Sequence, residues 1–329
     1  MKKKIVVLML LLPILLTGCG SNQGANNKDL RKVTVLLDWE PNTNHTGLYV
    51  AKSKGFFESE GLEVEIIQSS EGGTSQLIAA SQGDFGISYQ EEVTHARAMD
   101  IPVVSVATII QNNTSGFASI AEKNIKTPKD FSGKKYGGWG SPAEIALLQA
   151  LMEPYGASVD EVEIVNIGTS DFFTCIEKNI IDFSMIFYGW TGIEAELRGM
   201  DLNYIPMSKE NPALNFYTPV IIVKESLIDE DPELIRDFLK GAAKGYEFCI
   251  ENPEEAAEIL LENVPELNRE LIIASQKYLS KEYKADAEVW GIMELERWEN
   301  YTDWMYENDL IPNKIDSGKA FTNEFLPKE

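Results

Sequence analysis

The chain is poor in cysteine, in histidine and in basic side chains, and each shortage argues against a class of function. Only Cys19, Cys175 and Cys249 occur, at no spacing that builds a structural metal site. Two histidines, with neither a cysteine cluster nor an HExxH pair, argue against a catalytic zinc. Lys and Arg number 29 against 52 Asp and Glu, a formal charge of −23 that keeps the protein soluble and excludes nucleic acid as a natural partner. There is no GxxxxGK loop and no convergent arginine pair, so nothing demands a phosphate group. No apolar run reaches the roughly 20 residues needed to span a bilayer comfortably.

What is present begins at the first residue. Three lysines, a short apolar stretch and Leu16-Thr17-Gly18-Cys19 have the order of a secretory signal. Leu-Thr-Gly-Cys resembles the bacterial lipobox, which implies cleavage after residue 18 and a lipid on the sulfur of Cys19. The Gly-, Ser- and Asn-rich residues up to 29 have little to pack and read as a flexible tether. The expected organisation is a signal peptide over 1–18, a lipid-anchored tether over 19–29, and a body on the extracytoplasmic face of the cell membrane. Loss of residues 1–18 leaves 311 residues and moves the formal charge to −26, because three lysines go with them. So acidic a surface repels anionic lipid, and membrane residence falls to the lipid alone. Cys175 and Cys249 lie in apolar helical patterns and are expected as buried free thiols, although a disulfide is compatible with this compartment.

A body of this length suggests two lobes, each with its own core. Strands are expected at 33–37, 64–67, 85–89 and 103–110, separated by helices, and again at 134–138, 162–167, 182–187 and 217–223. This alternation predicts open, parallel α/β sheets. Lobe 1 is expected over 30–118 and 216–329, and lobe 2 over 119–215, joined by two crossings. From 231 onward the pattern is helical. Trp290, Trp298, Tyr301 and Trp304 recur at helical intervals, which gives them a packing role.

In such a chain the ligand site lies between the lobes, at strand carboxyl ends. Asp38, Trp39, Asn42 and His45 follow the first strand. Trp39 suits stacking on a planar solute and Asp38 suits its N–H groups, although turn and helix capping explains the asparagine, and His45, equally well. Tyr89 ends the third strand, beside Glu91 and Glu92 in a first helical turn. Asn113 and Ser115 lie in the polar loop 111–116. Trp139 and Glu144 belong to Gly138-Trp139-Gly140-Ser141-Pro142-Ala143-Glu144, where Ser141 and Glu144 have capping-box spacing. Tyr188, Trp190 and Glu194 close the set: two rings separated by a glycine at a strand end, with a carboxylate nearby. An aminopyrimidine would be stacked by the rings and read by the acid, with Glu194 ranked first among carboxylates and Asp38 next. No catalytic residue, metal ligand or cofactor is expected.

These residues resemble the ThiY/NMT1-like group of the periplasmic-binding-protein superfamily, solute receptors of ABC importers for thiamine-precursor pyrimidines. The resemblance rests on Asp38-Trp39-Glu40-Pro41-Asn42-Thr43-Asn44-His45, Gly55-Phe56-Phe57, Asp84-Phe85-Gly86-Ile87-Ser88 and the 137–144 and 188–194 loops. It implies a two-lobed type II fold with two crossovers and a helical C-terminal region, a permease partner with its ATPase, and a small planar nitrogen heterocycle as ligand. Hydroxymethylpyrimidine and formylated aminomethylpyrimidine are the implied solutes, with Trp39, Tyr89, Tyr188, Trp190 and Glu194 as their contacts. A monomer is expected. Relatives also include pyrimidine-synthesising proteins with a Cys-rich segment, which is missing here. Riboflavin, stacked by the same rings, is the alternative solute. An extracytoplasmic enzyme acting on a similar heterocycle, and an anchored structural protein with a vestigial cleft, are the alternative classes.

Overall fold

The computed structural model describes residues 30–69, 73–168 and 170–328. The expected signal peptide, the lipidated Cys19 and the tether lie outside the described residues. Two five-stranded sheets form the body. The first holds β1 (Arg31–Leu37), β2 (Leu62–Gln68), β3 (Phe85–Ser88), β4 (Val103–Thr108) and a strand that returns late in the chain, β10 (Val220–Lys224). Their order is β2-β1-β3-β10-β4. The second holds β5 (Ser115–Ile120), β6 (Lys135–Gly138), β7 (Glu163–Asn166), β8 (Phe183–Phe187) and β9 (Leu202–Pro206), in the order β7-β6-β8-β5-β9.

Most expected strands are found within a few residues of their places, but the sheets are mixed rather than parallel. β10 runs antiparallel to β3 and β4, and β5 runs antiparallel to β8 and β9. These two are the strands next to the crossings, where the chain enters one sheet from the other. β5 takes in Ser115 and Gly116, read from sequence as part of a ligand loop. The first crossing therefore falls at 109–114, a few residues before the boundary placed at 118, and the second runs over 207–219.

Burial follows the sequence. In β1, Val33, Val35 and Leu37 are buried on one face and Leu36 on the other, and every residue of β4 is buried, as expected of strands covered by helices on both sides. The first core stacks Phe85 on Phe238 of helix Pro232–Glu251, centroids 3.8 Å apart, and Tyr246 on Trp290 at 4.4 Å. The second gathers Phe117, Phe131, Tyr136 and Phe183. Helix Leu295–Glu307 serves both: Trp298 enters a first-sheet cluster, while Tyr301, Trp304 and Met305 enter the core of the second. The tryptophan series is buried packing, as expected, and Cys175 and Cys249 are buried free thiols.

The crossings are tied to each other by asparagines. The Asn113 N–H donates to Asn215 Oδ1 at 2.9 Å, Asn113 Nδ2 to the Leu214 carbonyl at 2.9 Å, and Asn215 Nδ2 to Asn112 Oδ1 at 3.2 Å. No helix among the described residues is long and apolar enough to cross a membrane.

Candidate binding site

At the carboxyl ends of β1, β6 and β8 stand three large aromatic side chains with unusual exposure: Trp39 at 56%, Trp139 at 48% and Phe187 at 48%. Tyr89, after β3, is 38% exposed. Apolar rings left in water at the mouths of two sheets mark a surface built to be covered. Beside Tyr89 lies a cavity of about 320 Å³. Lobe 1 lines it with Tyr89, Glu91, Glu92 and His95, and lobe 2 with Ser141, Pro142 and Ala143. Met305, Asp309 and Leu310 close it from the end of helix Leu295–Glu307. Two helix N-termini thus meet at the cavity, Gln90–Ala98 and Pro142–Met152.

The carboxylates around it differ sharply in their partners. Glu144 is buried and its two oxygens take four donors: Tyr136 Oη at 2.8 Å, and the N–H groups of Trp139 (3.1 Å), Gly140 (2.7 Å) and Ser141 (2.9 Å). It completes the capping box read from the sequence and fixes the loop that presents Trp139, with no lone pair spare for a solute. Glu92 accepts from Ser88 Oγ and from the Ser75 N–H, which braces the start of the helix after β2. Among the described residues Glu91 has one side-chain partner, Tyr301 Oη at 3.4 Å. Burial pushes its carboxyl above the usual range; the Tyr301 hydroxyl opposes this, and the charges of Glu92 and Glu144 add to it. The Tyr89 hydroxyl is likewise raised by burial and by Glu92, Glu91 and Asp38. The cavity is an acidic place.

Asp38 is held rather than free. The Asn42 N–H donates to His45 Nδ1 at 3.2 Å, so Nδ1 is the acceptor and Nε2 carries the hydrogen, which is given to Asp38 Oδ1 at 2.8 Å. His45 is fully buried with both ring nitrogens engaged, and therefore orients Asp38 rather than meeting a ligand. Asn42 caps the turn Thr43–His45 and is buried too.

Several residues expected at the site are therefore elsewhere. Asn113 and Ser115 are buried and bonded to each other, and serve the crossing. Glu194 pairs with Arg198 one helical turn on, and Arg198 in turn lies 4.1 Å over the Phe173 ring, so the pair faces helix Phe172–Glu177. Trp190 belongs to the turn Tyr188–Gly192 and packs against Tyr49, Ala257, Leu260, Val264 and Ile272 of lobe 1. The same turn is pinned by Ser275 Oγ, which donates to the Gly189 carbonyl. Tyr188 packs between Tyr204 and Tyr278 and donates to Glu196 at 2.6 Å; this acceptor, with burial and the Glu196 charge, pushes its hydroxyl up to about 12. Tyr188 and Trp190 thus dock one lobe on the other, and Trp39, Tyr89 and Trp139 remain as open rings. In the sequence Glu91 stands, with Glu92, as an even choice between the cleft and a first helical turn, and Phe187 is not among the candidates. The sequence sign of Glu91 was its place two residues beyond an aromatic strand end, masked by the ordinary preference for acids in a first helical turn.

The architecture has many counterparts. The periplasmic aliphatic sulphonate binding protein SsuA from Escherichia coli aligns with a TM-score of 0.69 at 15% identity, over 91% of this chain and 94% of that one, which shows the shared type II fold. Among curated proteins, the formylaminopyrimidine-binding protein of Halalkalibacterium halodurans is 29% identical over 98% of this chain and 99% of its own. The riboflavin-binding protein RibY of Chloroflexus aurantiacus is 26% identical over 99% of each. The family is consistent with a non-enzymatic receptor role. Residues 42–256 match the family model described as NMT1/THI5 like, and the chain belongs to that family.

Proposed function

We propose that the protein is an extracytoplasmic receptor of an ABC importer, anchored through a lipid on Cys19. It closes on a thiamine-precursor aminopyrimidine of the hydroxymethyl- or formylamino- type and delivers it to a permease, with an ATPase supplying the work. The observation that carries this reading is the cavity between the lobes, about 320 Å³, with Tyr89 in its wall and Trp39 and Trp139 exposed at neighbouring strand ends. That volume is at the low end of the roughly 300–1,000 Å³ of small-molecule clefts, which favours a single ring over the three fused rings of a flavin. The formylaminopyrimidine-binding relative, similar over nearly the whole chain, supports the same solute class. Membership of the family supports extracytoplasmic placement and a permease partner. A solute that touches both lobes gains contacts that the open form lacks, and so stabilises closure.

The reading is tested by calorimetry with 4-amino-5-hydroxymethyl-2-methylpyrimidine and by mass analysis of what the purified protein carries. Unchanged solute should be recovered stoichiometrically. Trp39→Ala and Trp139→Ala should each cost about 1–3 kcal/mol of affinity, by analogy with base stacking. Turnover of the pyrimidine would make the protein an enzyme, a yellow fluorescent preparation would make it a flavin receptor, and full affinity in both variants would remove the stacking model.

A further inference from the structure

We propose that Glu91 selects the solute: its carboxylate pairs with the amidine edge of the heterocycle, an amino group beside a basic ring nitrogen, and the complex holds one proton that the separated partners lack. The inference rests on the receptor reading and names the group that would give it specificity, which sequence reasoning had placed on Glu194.

The geometry singles out Glu91 by elimination and by position. Glu144 is saturated, Glu92 is committed to Ser75 and Ser88, Asp38 to His45, and Glu194 to Arg198. Of the carboxylates lining the cavity, Asp309 is exposed beyond the end of the C-terminal helix and Glu92 is bonded twice; among the described residues Glu91 alone is part-buried there with a single long hydrogen bond, the one from Tyr301. The cavity wall contains no lysine or arginine among the described residues that could pair with it. Groups facing Glu91 come from several elements. Tyr89, Glu92 and His95 lie on its own helix and the strand end before it, Tyr301 and Asp309 on the C-terminal helix and its end, and Glu144 reaches it electrostatically from lobe 2. Apart from His95, all are acidic or neutral. The site is an acceptor awaiting a donor.

A neutral aminopyrimidine edge offers one donor and one acceptor, whereas an ionised carboxylate offers two acceptors. The pair is one proton short. Taking that proton from solvent yields two N–H···O bonds between an amidinium and a carboxylate, a charge-assisted bidentate contact. The raised carboxyl of Glu91 favours holding the proton in the complex. Neutral stacking analogues leave the carboxylate unmatched in a half-closed site, which costs affinity.

The experiment compares 4-amino-5-hydroxymethyl-2-methylpyrimidine with its isosteric 4-methyl analogue on wild type and Glu91→Gln. Wild type should prefer the amino compound by at least about tenfold, the loss expected when a buried charged group goes unpaired. Its affinity for that compound should fall as pH rises above neutrality, by up to about tenfold per pH unit if one proton is taken up. Glu91→Gln, melting as a folded protein, should lose both the preference and the slope. Preference or slope retained in that variant would belong to another group and would overturn the inference while the receptor reading stands. Should the Gln variant not fold, Glu91→Asp, which draws the carboxylate back by one methylene, must lose the preference instead. Wild type that binds neither compound would defeat the receptor reading for aminopyrimidines itself.

Discussion

At the residue scale, the carboxylates differ in how far the fold uses them, from Glu144 with four donors to Glu91 with one long hydrogen bond. Glu194 lies between these extremes. Its partner Arg198 is four residues on and both side chains are partly in water, an arrangement whose loss costs under about 1 kcal/mol. Glu194→Gln should therefore leave solute affinity within about twofold by calorimetry and shift stability by no more than that surface-pair figure; a tenfold loss of affinity would return the reading role to Glu194. The sequence made Glu144 legible, because Ser141, Pro142 and Glu144 spell a helix start whatever the tertiary fold. It left Glu194 ambiguous, since Thr191 has the spacing of a cap but the backbone there is a wide turn with no side-chain cap. It hid Glu91, whose distinction is the shortage of hydrogen-bond partners, a property set by residues about 50 and about 210 positions away in Glu144 and Tyr301.

At the scale of elements, strong periodicity was readable and context was not. β1, β3, β4 and the long helix Pro232–Glu251 have apolar runs or stripes that only one structure satisfies. β5 (Ser-Gly-Phe-Ala-Ser-Ile) and β9 (Leu-Asn-Tyr-Ile-Pro) carry glycine, proline and small polar residues that usually mark turns, and become strands because neighbouring edges need pairing. Close helix crossing was equally hidden. Helices Thr46–Ser53 and Pro232–Glu251 meet backbone to backbone at Gly47 and Gly245; a Cβ on Gly245 would stand 2.0 Å from the Gly47 carbonyl oxygen. Gly245→Ala should push these helices apart and cost about 1–3 kcal/mol or more, read as a lower urea midpoint. Unchanged stability would mean that the two helices separate freely. Because helix Thr46–Ser53 continues the turn Thr43–His45, whose His45 holds Asp38, the same variant should also weaken solute binding.

At the scale of the whole molecule, the two lobes are held by crossings stitched with Asn112, Asn113 and Asn215, by the Tyr188–Gly192 turn docked on lobe 1, and by a C-terminal helix packed into both cores. Between them the chain keeps an acidic cavity that works against the ligand-free fold. Glu91 illustrates the cost. Its carboxyl binds a proton more tightly in the folded protein than in the unfolded chain, chiefly through burial, so whatever stability it lends is present only below the ordinary Glu range and is lost as pH rises through its raised folded value. Above that raised value the folded state carries an ionised, poorly partnered acid that the unfolded chain would solvate freely. Glu91→Gln, which cannot ionise, should raise the ligand-free melting temperature at about pH 7, with the advantage over wild type shrinking as pH falls through that raised value and gone below about pH 4, where wild type is largely neutral at this position folded or unfolded. Saturating aminopyrimidine should reverse the order at neutral pH, because only wild type gains the ion pair, and a ligand that binds the folded form at about 100 times its Kd adds about 2.7 kcal/mol. Thermal scans of the two proteins across pH, with and without the solute, read all of this in one series. A variant no more stable than wild type at neutral pH would mean that Glu91 is already compensated in the empty cleft, and the cavity would then have no need of a cationic edge to close upon.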